Sequence, residues 1–307
     1  MRVRTGFALL PLVLMPLAAC ASQADKNDDA SDSTSSSTPA SRSASGSATG
    51  SASAPADACA TDQLHLVKSG TLTVATDSPA YDPWFSGDDP SNGKGYESAV
   101  AYAVAQQLGF SQDQVSWVKE VFNNSYKPGP KNFDFDINQI SITADRAKVV
   151  DFSDGYYTVS QGVVALKDSP IASATSLADL ADYHLGAQTG TTSLTAIRDD
   201  IKPATDPSVF TTNNAAKQAL VDHQVDGIVV DLPTAFYLTA AELKGSTIVG
   251  QLPPVAGEQE QFGMLFAKGN PLVTCVDQAL AALKADGTIA QLDQQWLSNK
   301  VDVPVLQ

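Results

Sequence analysis

The chain has 307 residues, of which 43% are hydrophobic and 17% charged, and its formal net charge at pH 7 is −15. This length is sufficient for two domains and a sizeable core. The negative charge repels phosphate backbones and anionic lipid surfaces, which argues against nucleic acid as a partner.

The N-terminus has the pattern of an export signal. Arg2 and Arg4 precede an apolar run, residues 7–17, that is too short to span a bilayer. The run ends in Leu17-Ala18-Ala19-Cys20, which resembles the bacterial lipobox, where cleavage precedes the cysteine and a lipid is attached to it. We expect residues 1–19 to be a lipoprotein signal peptide and Cys20 to carry the lipid. The alternative is an ordinary signal peptide cleaved after Ala-X-Ala.

A segment rich in Ser and Ala, residues 20–57, follows the signal and contains almost no large apolar side chain. Such a composition cannot bury enough surface to order itself, so we expect a disordered tether from the lipid anchor. As a flexible coil it would span roughly 35 Å. No later segment has about eighteen consecutive apolar residues, so the sequence predicts no further membrane span.

Two cysteines remain after Cys20, at the start and near the end of the expected folded part. An exported chain permits Cys59 and Cys275 to pair, and we expect a disulfide between them. The alternative is two free thiols.

Short β-rich runs alternate with helical stretches from residue 71 onwards, which predicts an α/β fold with parallel sheets covered by helices. Predicted strands lie at 71–76, 115–121, 133–137, 149–152, 161–166, 185–187, 209–211, 227–230 and 263–266, and predicted helices at 96–108, 176–182, 194–200, 215–222, 233–243, 271–286 and 288–297. In such folds, sites form at the carboxyl edges of the strands.

Three polar clusters follow predicted strands: residues 138–146, residues 188–193 and Asp231. Arg146 can grip both oxygens of a carboxylate, and the Gly-Thr-Thr-Ser turn of the second cluster precedes a helix and suits an anion. Asp231 suits an ammonium group. Together the three clusters match a zwitterion.

Each cluster also has a structural alternative. For Arg146 the alternative is a surface ion pair with Asp151 or Asp154. For the Gly-Thr-Thr-Ser turn it is helix capping alone, and for Asp231 it is an N-cap ahead of Pro233.

Several motifs occur in a family-specific order: GTLTVATD at 70–77, SITADR at 141–146 with VDFSD at 150–154 and two tyrosines at 156–157, GTTS at 190–193, VDG at 225–227 before Asp231, and KADGT at 284–288 before Trp296. With them, residues 69–297 resemble the family 3 extracellular solute-binding proteins, the polar amino acid receptors of ABC importers. The resemblance implies the type II periplasmic-binding-protein fold: two lobes, each a sheet flanked by helices, joined by two crossing strands. It places lobe 1 at 58–162 plus 260–307 and lobe 2 at 163–259.

The resemblance also implies a ligand-binding set. It assigns the carboxylate grip to Arg146, Ser141 and Thr192 with Thr191 adjacent, ammonium contacts to Asp231, Asn138 and Gln139, an aromatic wall to Tyr81 and Trp84, and ligand side-chain contacts to Asp77 and Gln188. Asn138 and Gln139 replace the family's usual small residues, which favours a polar ligand such as Gln, Glu, Asn or Asp.

We therefore expect a monomeric binding protein without metal or cofactor. It would be lipid-anchored on the outer face of the bacterial membrane and would deliver a free amino acid to an ABC permease. The alternatives are an enzyme on the same fold, resembling cyclohexadienyl dehydratase, with Glu97 or Asp77 as acid or base, or an amino-acid sensor.

Overall fold

Short, mostly buried strands alternate with helices along the chain. The computed structural model describes residues 56–254, 259–297 and 303–307, and all of them belong to the compact unit Ser51–Gln307. The predicted signal peptide, Cys20 and most of the predicted tether lie outside the described residues. The last two residues assigned to the tether belong to the short helical turn Ala56–Cys59.

The strands are β1 (Leu72–Thr76), β2 (Val115–Lys119), β3 (Phe135–Asp136), β4 (Val150–Phe152), β5 (Tyr157–Val159), β6 (Gln161–Leu166), β7 (Leu185–Gln188), β8 (Ser208–Phe210), β9 (Gly227–Asp231), β10 (Ser246–Gln251), β11 (Glu260–Phe262) and β12 (Leu265–Ala267). The helices are α1 (Tyr96–Gln107), α2 (Phe122–Ser125), α3 (Leu177–Leu180), α4 (Thr192–Ala196), α5 (Asn213–Val221), α6 (Leu232–Tyr237), α7 (Leu272–Ala285) and α8 (Thr288–Leu297). A π turn follows α4 at Ile197–Ile201, and another follows α6 at Leu238–Glu242.

In the described part of the chain, one five-stranded sheet has the order β2-β1-β3-β12-β4. Strand β1 pairs in parallel with β2 and β3, and β12 runs antiparallel to β3 and β4. Every residue of β1 is buried, as expected for a central strand covered on both faces. Leu72 and Val74 pack in one apolar cluster with Val100 and Val104 of α1 and Leu280 of α7.

A second five-stranded sheet of the described residues has the order β10-β6-β9-β7-β8. Its central strand β9 sends alternate side chains to opposite faces, as the period of a strand requires. Val229 packs in the cluster that contains Leu194 of α4, whereas Ile228 and Val230 pack in the cluster that contains Leu220 of α5.

Both sheets are mixed, so the prediction of parallel sheets is only partly right. Strand β6 runs antiparallel to β9 and β10. Strands β6 and β12 are each the first strand after the chain passes from one sheet to the other. Each runs antiparallel to its neighbours in the new sheet. The sequence pattern predicts no strand at β5, β10 or β11.

Strands β5 and β11 form an antiparallel pair between the two sheets. The chain passes from the first sheet to the second through β5 and returns through β11, which gives two α/β lobes joined by two crossing strands. One part of the predicted lobe boundaries needs correction. Residues 303–307, assigned to lobe 1, lie against the second sheet, where Val305 bridges Gln251 and Leu306 is buried in the cluster of Val229.

A disulfide joins Cys59 to Cys275 of α7 across a sequence separation of 216 residues, as the sequence predicts. It ties the start of the described chain to the first lobe. No helix of the described ranges is long and apolar enough to cross a membrane.

Replacing both cysteines by alanine should lower the free energy of unfolding by about 2–5 kcal/mol, because the unfolded chain regains the freedom that the long loop closure removes. Urea unfolding followed by circular dichroism measures this difference, and wild-type protein unfolded in reductant is the matched control. Equal urea midpoints for the variant and the oxidised wild type would contradict the expectation.

Candidate functional site

A pocket lies between the two lobes, where several strands end. Its atom-free space is about 510 Å³, including the solvent at its mouth. Asp77, Tyr81, Phe122, Asn138, Gln139 and Ser141 line it from the first lobe, and Gln188, Thr191, Thr192, Ser193, Asn213, Val230 and Asp231 line it from the second. The structure therefore brings together all of the predicted ligand-binding residues except Arg146 and Trp84.

The strand ends explain this convergence. Asp77 directly follows β1, while Gln188 and Asp231 are the last residues of β7 and β9. Since parallel strands present their carboxyl ends at one edge of a sheet, these side chains meet at the crevice between the lobes.

Arg146 lies at the edge of the pocket and contacts both lobes. Its Nη1 donates to the carbonyl of Ser141 at 2.7 Å and its Nη2 to the carbonyl of Gly190 at 2.8 Å. The guanidinium carbon lies 4.9 Å from the ring centre of Tyr126 and 5.6 Å from that of Phe122. Two aromatic faces and two carbonyls thus position the cation.

The guanidinium of Arg146 has no carboxylate partner at ion-pair distance among the described residues. Asp151, the partner in the alternative interpretation, instead binds Lys268 at 2.7 Å, and Asp154 is not paired with Arg146 either. Burial is the main cause that lowers the pKa of Arg146 from its ordinary value. The surface ion-pair alternative is therefore wrong.

A hydrogen-bonded network spans the two lobes behind the pocket. Glu260 of β11 accepts hydrogen bonds from Ser141 Oγ and, at 3.0 Å, from Gln161 Nε2. Gln161 Nε2 also donates to Asp231 Oδ1 at 2.9 Å, and Ser193 Oγ donates to Gln161 Oε1 at 2.5 Å. No sequence motif singles out Glu260 or Gln161, although both are polar residues on strands that adjoin the passages between the sheets.

Asp231 is a poorly solvated carboxyl. Burial, and next the charge of Glu260, raise its pKa to about 8, against the opposing hydrogen bond from Gln161. Its side chain makes no capping hydrogen bond to α6, so the N-cap alternative does not account for it.

Thr191 caps the N-terminus of α4, as the structural alternative predicts. Its Oγ1 accepts a hydrogen bond from the amide of Leu194 at 3.2 Å and donates to the carbonyl of Gln188 at 2.7 Å. Thr192 is different, because its Oγ1 lies 3.3 Å from Ser141 Oγ on the other lobe. In the second cluster, Thr192 is thus the better placed hydroxyl for a ligand.

Asn138 and Gln139 play different parts, although both line the pocket. The Nδ2 atom of Asn138 is buried without a hydrogen-bond partner, which leaves a donor free for a ligand. The Nε2 atom of Gln139 donates to Glu97 beneath the pocket instead.

Trp84 does not form the predicted aromatic wall. Its side chain is 0% exposed, its ring centre lies 5.5 Å from those of Tyr157 and Phe262 on the crossing strands, and Nε1 donates to Thr234 Oγ1 at 3.0 Å. A large indole gains most from full burial, and this apolar site between loop and crossing strands provides it. Tyr81 and Phe122 supply the aromatic rings at the pocket.

Within the described ranges, no group of three or more His, Cys, Asp or Glu residues is arranged to hold a metal ion. The chemistry of the pocket is that of hydroxyl, amide and carboxyl groups around a cation at the edge.

Comparison with known proteins gives a consistent group of relatives. The L-cystine-binding protein TcyA of Bacillus subtilis (strain 168) is 30% identical over 241 residues, which cover 76% of this chain and 84% of that protein. The ABC transporter glutamine-binding protein GlnH of the same organism is 28% identical, covering 68% of this chain and 75% of that protein. The ABC transporter arginine-binding protein 1 of Escherichia coli (strain K12) is also 28% identical, with coverages of 71% and 88%.

Solved structures of amino acid-binding proteins are also similar to this chain. An ancestral arginine-binding protein bound to glutamine has a TM-score of 0.63 and 29% identity, covering 75% of this chain and 99% of that one. An ancestral amino acid-binding protein, a precursor of cyclohexadienyl dehydratase, has a TM-score of 0.62 and 31% identity, with coverages of 74% and 95%.

The sequence pattern of the bacterial extracellular solute-binding proteins, family 3, matches residues 72–299. With the two lobes, the crossing strands and the pocket between them, the chain belongs to the bacterial extracellular solute-binding proteins of family 3.

Proposed function

We propose that the protein binds a free amino acid between its lobes and delivers it to the permease of an ABC importer. The observation that carries the proposal is Arg146, a poorly solvated cation without a carboxylate partner among the described residues, at the edge of a pocket that Asp231 lines from the second lobe. A cation and a carboxyl group that ionises beside an ammonium are complementary to the two charges of an amino acid.

In this proposal, the ligand carboxylate binds Arg146 and the hydroxyls of Ser141 and Thr192, and its ammonium binds Asp231. These residues belong to both lobes, so a bound ligand favours the closed arrangement by its additional contacts there. A charge-assisted hydrogen bond to Arg146 would also compensate the desolvation of its guanidinium.

The charges at the pocket bear on the ligand side chain. Asp77 lines the pocket, where its oxygens accept hydrogen bonds from the amides of Ser78 at 2.6 Å and Phe122 at 3.1 Å. Asp77, together with Asp231 once it is ionised beside the ligand ammonium, repels a second carboxylate on the ligand. Of the expected Gln, Glu, Asn and Asp, we therefore propose the amides rather than the acids, and cationic side chains are compatible as well. The relatives named above bind cystine, glutamine and arginine.

The N-terminal pattern completes the proposal. Lipid attached at Cys20 would hold the protein on the outer face of the cell membrane, and the segment that follows would act as a tether. A monomer is sufficient for this role, because both lobes of the pocket come from one chain.

An enzyme on the same fold would need a positioned acid or base at the pocket. Glu97 is 0% exposed below the pocket and has both oxygens in hydrogen bonds, and Asp77 is held by two backbone amides. We therefore propose binding without catalysis. Turnover of a cyclohexadienyl substrate by the purified protein would contradict this.

A thermal-shift screen against the twenty amino acids and cystine tests the function directly. A ligand that binds the native state should raise the melting temperature with its concentration, and calorimetry on each hit then gives its affinity. A melting temperature that is unchanged with every compound would contradict the proposed function.

Replacing Arg146 by alanine should weaken binding of the identified amino acid by at least about 3 kcal/mol, because the ligand carboxylate would be buried without a cationic partner. Isothermal titration calorimetry measures the loss, and circular dichroism checks the fold. Arg198→Ala, at an exposed arginine of the second lobe, is the matched control and should bind normally. Equal affinities of the two variants would exclude Arg146 from the site.

Affinity should rise with pH up to about 8, because the pKa of Asp231 is raised to about 8 and the ligand ammonium requires its ionised form. Below this value the affinity should fall by up to about tenfold per pH unit. Calorimetry across pH 5.5–8.5, in buffers of different ionisation enthalpy, should also show proton release on binding. The same affinity at every pH would contradict this role of Asp231.

The stability of the ligand-free protein should show the opposite trend. The pKa of Asp231 is about 8 when folded, above an unfolded value of about 3.9, so the native state binds more protons between these pH values. Stability is therefore lost as pH rises from about 4 to about 8. Asp231→Asn should flatten part of this decline in melting temperature. An unchanged pH profile in that variant would show that Asp231 does not titrate as stated.

A further inference from the structure

Gln139 has a backbone conformation that its residue type rarely adopts. Its φ angle is +49°, in the left-handed region that favours glycine. The residue lies between two fixed points of the first lobe, since β3 ends at Asp136 and Ser141 forms a bridge with Phe262. Its conformation therefore determines how the short segment 137–140 turns past the pocket.

Glu97 holds Gln139 in this conformation. One carboxylate oxygen, Oε1, accepts a hydrogen bond from the backbone amide of Gln139 at 2.7 Å, and the other accepts one from its side-chain Nε2. Tyr156 donates its hydroxyl to Oε1 as well. One carboxylate thus grips both the backbone and the side chain of a single residue.

Stability does not explain a carboxylate at this place. Glu97 lies in the first turn of α1, is 0% exposed and takes part in no ion pair among the described residues. The ionisable groups that interact with it are those of Tyr96, Tyr156, Asp136 and Asp231, and none of these is a cation. Burial raises the pKa of Glu97 to about 7 despite its three hydrogen bonds. A buried carboxylate without a cation destabilises a fold, which favours a role for it at the pocket.

We propose that Glu97 is a positioning residue for the ligand pocket: by holding Gln139 in the left-handed conformation, it directs Asn138 and Ser141 towards the ligand. Both of these residues line the pocket, and Asn138 Nδ2 is the buried donor without a partner. The inference rests on the proposed amino acid-binding function and adds to it a specificity-determining residue that does not itself touch the ligand.

A double-mutant cycle of Glu97→Gln and Gln139→Gly tests the proposal. A glutamine at position 97 keeps one acceptor oxygen and turns an NH₂ towards one of the two donors of Gln139, so it breaks one of the two hydrogen bonds without a change in size. In the wild-type background, Glu97→Gln should weaken binding of the amino acid found in the screen by at least about tenfold. In the Gln139→Gly background it should weaken binding by less than about threefold, because glycine adopts a positive φ without help.

Tyr156→Phe is the matched control. It removes the third hydrogen bond to the same carboxylate and leaves both contacts to Gln139, so its affinity should stay within about threefold of the wild type. If Glu97→Gln does not fold, Gln139→Ala and Gln139→Gly replace the cycle. Alanine is strained at this φ, so the alanine variant should bind at least about threefold more weakly than the glycine variant.

The possible results separate the role of Glu97 from the proposed function. Wild-type affinity in Glu97→Gln, an equal loss in both backgrounds, no measurable binding by Gln139→Gly, or equal affinities of the alanine and glycine variants would overturn the role of Glu97. A wild-type protein that binds no amino acid in the screen would instead overturn the proposed function, and with it this inference.

Discussion

The contact of one guanidinium with two lobes is the interaction on which the pocket depends. Arg146 donates to the carbonyl of Ser141 in the first lobe and to that of Gly190 in the second. Both carbonyls belong to segments that line the pocket, so the cation fixes the spacing of its walls at one edge. Because burial already disfavours the charge, an arriving carboxylate gains more from Arg146 than it would from an exposed arginine.

Three buried carboxyl groups in and near the pocket accompany this cation. Burial raises the pKa values of Asp231 and Asp136 to about 8 and that of Glu97 to about 7. At neutral pH these groups keep their protons wholly or in part in the folded state, which costs stability because the unfolded chain would release them. An ammonium group in the pocket would favour the ionised form of Asp231. The buried carboxyl groups thus lower the stability of the ligand-free protein, and a cationic group on the ligand can restore part of it. Such a local cost in stability is common at binding sites.

Local pattern predicts part of this arrangement and tertiary contacts determine the rest. Asp77, Gln188 and Asp231 are predictable because each stands at or directly after the end of a strand that the apolar runs reveal. Glu260 is not, because its strand has three residues and forms only by pairing with β5, about a hundred positions away in the chain. The family resemblance places Trp84 in the aromatic wall of the pocket, but an aromatic residue beside a polar loop suits either a ligand or a core. The two sequence environments look the same, and only the packing against the crossing strands distinguishes them.

The pair Asn138-Gln139 shows why a departure from a family pattern needs its structural partner to be understood. A long side chain at a left-handed position is unfavourable alone, by roughly 1–3 kcal/mol. Glu97, some forty residues earlier in the chain, makes the position acceptable through two hydrogen bonds, and Asn138 then faces the pocket with an unused donor. The two amides therefore differ in their contacts: that of Gln139 bonds to Glu97 beneath the pocket, and that of Asn138 keeps an unused donor.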